Sequence, residues 1–381
     1  MALMISLVAL STDAMLPALP FIGGDLGVQN ANNNQLVLSA FFLGLALGQL
    51  FFGPLSDSIG RKPAIYAGLA LFILGCVLSG AATDFPTMLA GRVLQGLGAA
   101  GPRTVSVALI RDQYAGTAMA RIMSLVMAVF ILVPVAAPAL GQAILLVAQW
   151  RAIFIMFLVM AVVSFAWLAT RQPETLPIDR RRALSLGRIG RAAVEVCTTR
   201  AALSYSVAAG IVFAGMIGYL MSAQQIFQDT YELGKLFSVF FAILALAIGS
   251  ASFANARLVM RFGMQALASR ALITISGVSA IFFIVATTMA GVPPLWAFMT
   301  YGLVIFFCLG MLFGNLTAMA MEPLGHIAGV GSAVVSSLTA FISLLLGAAV
   351  GLGYDGTVLP LVGSFAVLGA IALVFVRRGA R

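Results

Sequence analysis

Charge is what this sequence has least of. Asp, Glu, Lys and Arg together make up 9% of its 381 residues, against roughly 25% in an ordinary soluble domain. A chain this poor in charge cannot cover a water-facing surface, and the solvent it implies for most of its length is lipid. Histidine is nearly absent as well, and His326 alone cannot anchor a metal cluster. The three cysteines, Cys76, Cys197 and Cys308, are far apart, which excludes both a zinc spacing and a disulfide framework. No Walker A, H-E-x-x-H or G-x-S-x-G pattern occurs, and no span carries paired acids. Neither a cofactor nor an enzyme is expected.

Hydrophobic residues, by contrast, make up 62% of the chain. A helix needs about 20 apolar residues to cross the roughly 30 Å hydrocarbon core. Stretches of that kind lie at about 1–22, 36–54, 64–82, 86–109, 121–147, 149–170, 201–227, 234–254, 266–290, 294–321, 329–352 and 357–377. They are continuous rather than alternating, so they predict helices and not a barrel. The expected fold class is an all-α polytopic membrane protein with twelve spans. The first stretch lacks a basic lead, and Asp13 and Pro17 interrupt it. It reads as a membrane helix missing a short cytoplasmic lead-in rather than as a signal peptide.

The net charge of +9 is not a nucleic-acid signature, because of where it falls. Alternate connections and the C-terminal tail hold Arg61, Lys62, Arg111, Arg121, Arg171, Arg180, Arg181, Arg182, Arg188, Arg191, Arg200, Arg257, Arg261, Arg270, Arg377, Arg378 and Arg381. The opposite connections hold only Arg151 and Lys235. This asymmetry follows the positive-inside rule and puts both termini in the cytoplasm. The longest polar segment, 171–200, divides six spans from six. It separates an N-terminal bundle at 1–170 from a C-terminal bundle at 201–381. It reads as a solvated tether, with a short surface helix over about 184–198 as the alternative. Each half ends its second span in a basic turn, Gly53 to Lys62 in one and Asn255 to Gly263 in the other. That is the mark of a duplicated six-helix unit.

Gly96, Gly98 and Gly101 spell G-x-G-x-x-G, but inside an apolar span with no strand before it, so no nucleotide loop is implied. Glycines such as these, with Gly44, Gly48 and Gly91, let membrane helices approach closely. Arg92 lies about six residues, or roughly 9 Å, into its span. A guanidinium there costs roughly 2.5 kcal/mol or more and must face a partner or a wet cavity. Gln95 shares its face at i+3. The one acid near the middle of any span is Asp13, the obvious opposite charge. A carboxylate's hold on its proton tightens in low dielectric and loosens beside a cation, so such a group can load and release a proton as its surroundings change.

Several of these residues match a known pattern. Gly53-x-x-x-Asp57-x-x-Gly60-Arg61-Lys62 resembles the loop signature of the major facilitator superfamily, and Arg92-x-x-Gln95-Gly96-x-Gly98 its fourth-helix motif. Pro134-Val-Ala-Ala-Pro138-Ala-Leu-Gly141 resembles the antiporter motif, with Gln142 where a second glycine is usual. The segments from Asp13 to Pro20, Asn255 to Gly263 and Met321 to Gly329 are similar to the bicyclomycin/chloramphenicol-resistance subfamily of drug:proton antiporters.

The resemblance implies two pseudo-symmetric six-helix bundles, the major facilitator fold, rocking around a central cavity. It implies a multidrug exporter of the bacterial inner membrane, monomeric, that exchanges amphipathic small molecules for protons. Asp13 would carry the proton, with Arg92 tuning it. Gly53, Asp57, Gly60, Arg61, Lys62 and Asp112 would form a cytoplasmic gate, Arg61 pairing with Asp112. Pro134, Pro138 and Gly141 would bend or loosen the fifth span and seal it against ion leak. Gln95, Phe213, Tyr219, Gln224, Gln225, Phe306, Phe307, Phe313 and Asn315 are the candidates for the drug-binding wall. A proton-coupled uptake symporter for a metabolite or sugar is the alternative, but it would be expected to bury more charge than Asp13, Arg92 and Arg103.

Overall fold

The computed structural model describes residues 2–114, 116–181 and 183–380, leaving out the side chains of 116–118, 120–121, 123–125, 127–128, 130–131 and 235. Four basic residues of the topology argument, Arg121, Arg182, Lys235 and Arg381, therefore lie outside the described side chains.

The chain is helical, with no strand among the described residues. The first span is broken: α1 (Ala2–Asp13), a 3-10 turn (Leu16–Ala18), then α2 (Leu19–Asp25). Spans two to six are α3 (Leu36–Ile59), α4 (Arg61–Gly80), α5 (Phe85–Gln113), α6 (Gly116–Val147) and α7 (Arg151–Arg171). The short helix α8 (Leu186–Thr198) follows, where the tether reading expected open chain. It forms because Ile189, Ala192 and Val196, at i, i+3 and i+7, make a stripe that is buried. Next come α9 (Arg200–Gln225), α10 (Phe237–Phe262), α11 (Met264–Thr288), α12 (Leu295–Met321), α13 (Ala328–Leu352) and α14 (Leu359–Gly379).

These helices match the twelve apolar runs, with their ends displaced. α3 carries on through Pro54 to Ile59, and α10 runs to Phe262, eight residues beyond its apolar stretch. An apolar run measures only hydrocarbon thickness, whereas the helix continues into the interface, where water meets its terminal groups. α6 also departs from expectation. It stays helical across both Pro134 and Pro138, so the loosening foreseen there is not a break. The break falls in the first span, where Pro17 and Pro20 each sit in the opening turn of a new helix. At that position a missing N–H is not needed.

Two compact units are present, Met1–Ala192 and Ala193–Arg381. In the first, α5 packs on α3 and α4, and α1 on α6. The glycines set this approach. A Cβ on Gly96 would stand 1.9 Å from the Phe41 carbonyl oxygen, and one on Gly44 1.9 Å from that of Val93. In lipid, where apolar burial gives little drive, such backbone contact is the main source of helix association. Asp84 caps α5 by accepting the Thr87 N–H at 2.8 Å. Asp25, closing α2, accepts from Trp150 Nε1 and Arg151 Nη1, each at 2.9 Å, while the Arg151 guanidinium lies 4.2 Å from the centre of the Trp150 ring. In the second unit, α9 packs on α13, α14 and α12, α11 on α14, and α10 on α12.

Candidate functional site

Asp13 is the last residue of α1, at the point where the first span breaks. It is 4% exposed, and among the described residues it is the one buried acid. Its Oδ1 lies 2.8 Å from the Thr12 hydroxyl. That hydroxyl has one proton to give and is also within reach of the carbonyls of Ala9 and Val8. No cation stands within ion-pair distance of Asp13 among the described residues.

Arg92 is completely buried. The expectation that Asp13 is its partner is not what the geometry shows. Nε donates to the Val37 carbonyl at 3.1 Å, Nη1 to Gln95 Oε1 at 2.5 Å and Nη2 to the Ser11 carbonyl at 3.0 Å. Phe41 closes the fourth side, its ring centre 4.7 Å from the guanidinium carbon. A planar fork of donors fits carbonyls from several elements as well as it fits a carboxylate. Arg92 thus ties α1, α5 and the start of α3 together, and it meets the first span two residues before Asp13, at the backbone. Gln95 belongs to this node, its Nε2 donating to Cys76 Sγ at 3.1 Å.

Gly141 places α6 against the same break. A Cβ there would lie 2.0 Å from the Ala14 carbonyl oxygen, so only hydrogen fits. Pro138 is buried in the turn before it and Pro134 is half-buried.

A second cluster stands at the junction of α3 and α4. Arg61 Nη1 donates to Asp57 Oδ1 at 2.5 Å and to Ser56 Oγ at 2.8 Å, and Nε donates to Asp112 Oδ2 at 2.9 Å. The Arg61–Asp112 pairing that the resemblance implies is present. Gly53 is one turn back, accepting from the Ser56 hydroxyl at 2.8 Å, and Lys62 Nζ donates to the Ala169 carbonyl at 3.2 Å.

Sequence reasoning missed Glu174. Oε1 accepts the N–H of Arg61 at 3.0 Å and Oε2 that of Lys62 at 3.0 Å, capping α4. Oε1 also receives the N–H groups of Thr175 and Leu176, each at 2.9 Å. Gly60, at φ 108° and ψ 160°, makes room, since a Cβ would meet Glu174 Oε2 at 2.6 Å. The one signal in the sequence was an acid between two prolines, Pro173 and Pro177, directly after a span.

The proposed drug-binding wall is less uniform. Phe213 and Phe313 stack at 4.2 Å, and both keep some exposed surface, as does Phe307. Tyr219 is buried between Phe306, edge-on at 4.5 Å, and Phe241 at 5.6 Å. Asn315 Nδ2 donates to Asn255 Oδ1 at 2.8 Å, and Asn255 Nδ2 donates to Asn315 Oδ1 at 3.1 Å. Gln224 donates to Gln228 Oε1 at 2.9 Å, and the Gln225 carbonyl accepts from the Tyr354 hydroxyl at 3.3 Å. Gln95 apart, which is on α5, these candidates lie on α9 and α12; the polar ones are buried, and Gln224 and Asn315 are hydrogen-bonded through their side chains.

Helix after helix is long and apolar enough to cross a membrane, which makes this a multi-pass membrane protein. A family model for the Major Facilitator Superfamily matches residues 1–348, and the chain belongs to that superfamily. It is 30% identical over 357 residues to YdgK of Bacillus subtilis, an uncharacterized MFS-type transporter, covering 92% of this chain and 87% of that one. It is 28% identical over 369 residues to the bicyclomycin resistance protein homolog of Haemophilus influenzae, covering 95% and 91%. Its fold matches the xylose transporter XylE from E. coli, in a partially occluded inward open conformation, with a TM-score of 0.75 at 13% identity over 98% of this chain and 95% of that one.

Proposed function

We propose that this protein exports amphipathic small molecules across the bacterial inner membrane in exchange for protons, by alternating access, as a monomer with both termini in the cytoplasm. The family supports transport, and the similarity to a bicyclomycin resistance homolog supports export. The observation that carries proton coupling is Asp13, the one buried acid among the described residues, placed at the break of the first span with a single side-chain donor and no cation.

In this reading Asp13 takes and gives up the proton as water reaches it from one side and then the other. Arg92 acts from a distance, as a fixed positive charge and as the clamp on the Ser11 carbonyl. Gly53, Asp57, Gly60, Arg61, Lys62 and Asp112 form the cytoplasmic gate, held shut while Arg61 bridges the two acids. Pro134, Pro138 and Gly141 keep α6 close to the first span and limit ion leak. Phe213, Phe307 and Phe313 are the wall residues a hydrophobic drug would reach first. Gln95, Tyr219, Gln224, Gln225, Phe306 and Asn315 would become available only if their present contacts open.

The test is proton release on drug addition to the detergent-solubilised protein, wild type against Asp13→Asn. Chloramphenicol-like and lipophilic cationic compounds serve as probes. Release by wild type but not by a variant that still binds drug is the expected result. Release by both would move the carrier elsewhere. A wild type that binds no such compound would favour uptake over export.

A further inference from the structure

The turns after the second span of each unit share one backbone. Gly60 has φ 108° and ψ 160°, and Gly263 has φ 78° and ψ 156°. What stands against them differs. At Gly60 the Glu174 carboxylate fills the space and takes the first N–H groups of α4. At Gly263 an added Cβ would meet nothing within 4 Å. A cavity of about 540 Å³ opens there instead, with Met264 and Gln265, the first two residues of α11, in its lining. Their N–H groups are among those that an α-helix cannot satisfy from within.

The lining also points to a ligand. Tyr205 borders the cavity and is only 7% exposed, yet its hydroxyl has no hydrogen-bond partner among the described residues. Ser269 adds a second hydroxyl to the lining. The ring of Phe262 forms one wall, and the guanidinium groups of Arg270 and Arg261 stand 4.9 and 5.2 Å from its centre. Glu322, exposed, also lines the cavity, and its carboxylate is close enough to act on Tyr205. We propose that this cavity binds a phosphate group, carried by an anionic phospholipid or free in solution. The N–H groups of α11 and the Tyr205 hydroxyl would donate to it, in the place that a carboxylate occupies in the first unit. Phosphate at a helix N-terminus is favoured by both the free donors and the dipole. The apolar part of the lining suits a glycerol backbone and the start of an acyl chain.

The proposal goes beyond export and does not depend on what is exported. Its test is the melting temperature of the full chain in detergent, titrated with dioctanoyl phosphatidylglycerol, with inorganic phosphate, or with dioctanoylglycerol, which has no phosphate. A saturable rise with phosphatidylglycerol is expected. Tyr205→Phe should raise the half-saturating concentration about tenfold, the usual weight of one hydrogen bond to a charged group. Met264→Pro removes one N–H at a position where helices accept proline and should act in the same direction. Glu322→Gln should lower the half-saturating concentration. A similar effect from inorganic phosphate identifies a free-anion site, and an effect from the lipid alone identifies a headgroup site. Equal stabilisation by dioctanoylglycerol, no response to Tyr205→Phe, or weaker binding in Glu322→Gln would each overturn the proposal. If Met264→Pro fails to fold, the other two variants still decide it.

Discussion

Two acids of the first unit occupy opposite environments. Glu174 is half-exposed, yet four backbone N–H groups converge on it, two from α4 and two from its own loop. Asp13 is buried and has one shared hydroxyl donor. Glu174 is fixed by its partners and serves as a structural cap. Asp13 is left under-bonded in the place where bonding would matter most. A protein that only needed stability would have the reverse arrangement, because an unsatisfied buried group costs about 1–3 kcal/mol. The contrast separates a carboxylate that holds a turn from the one to which the proposed function assigns the proton.

The widest break in this contrast should come from the two isosteric amides. Asp13→Asn is expected to cut drug-linked proton release to less than about a tenth while leaving the melting temperature nearly unchanged, since it removes no strong bond. Glu174→Gln should do the reverse. Losing a charge-assisted acceptor at the start of α4 is worth about 2 kcal/mol, or about 5 °C in a unit of this size, with proton release retained. Equal melting losses in the two variants would dissolve the distinction. Calorimetry and a pH-indicator assay on the same preparations read both.

Gly141→Ala sharpens the Asp13 side of the comparison. The new Cβ meets backbone, the Ala14 carbonyl, which cannot swing away as a side chain can. Overpacking of this kind costs about 1–3 kcal/mol, so a lower melting temperature and slower export are expected, the latter measured as efflux of a lipophilic dye. Export at the wild-type rate would show that α6 and the break move independently.

The Glu174 side is sharpened by a smaller difference between two alanines. Gly60→Ala and Gly263→Ala both force a side chain into a backbone region essentially limited to glycine, at about 1–3 kcal/mol each. Gly60→Ala must also push Glu174 away from the N–H groups of Arg61 and Lys62. It should therefore be less stable than Gly263→Ala by about 1 kcal/mol, a partial weakening of those two bonds, and melt about 3 °C lower. Equal melting temperatures would mean that Glu174 can retreat without losing its cap.

The spans were legible in the sequence because lipid imposes a thickness, and residue counts report thickness directly. The broken first span was half legible. Pro17 and Pro20 announced opened backbone, but nothing separated them from Pro134 and Pro138, which α6 absorbs without a break. The Arg61–Asp112 pair was legible through resemblance, since both partners carry charge. The partners of Arg92 were not. Two of its three bonds go to main-chain carbonyls, which every residue has and no sequence pattern marks. Glu174 was missed for a related reason, as its ligands are amide N–H groups. The Asn255–Asn315 pair required knowing that α10 packs on α12, which neither residue declares.

The first span is held on both sides of its break. Below it, Arg92 grips the Ser11 carbonyl, and beyond it Asp25 is tied to Trp150 and Arg151. In mechanical terms this is a beam pinned at two points with a joint between them. Such a beam cannot slide along its own axis without breaking a pin, but it can turn or bow at the joint. The carboxyl of Asp13 sits on that joint, so a small rotation of the span there would re-aim the carboxyl with both pins still closed.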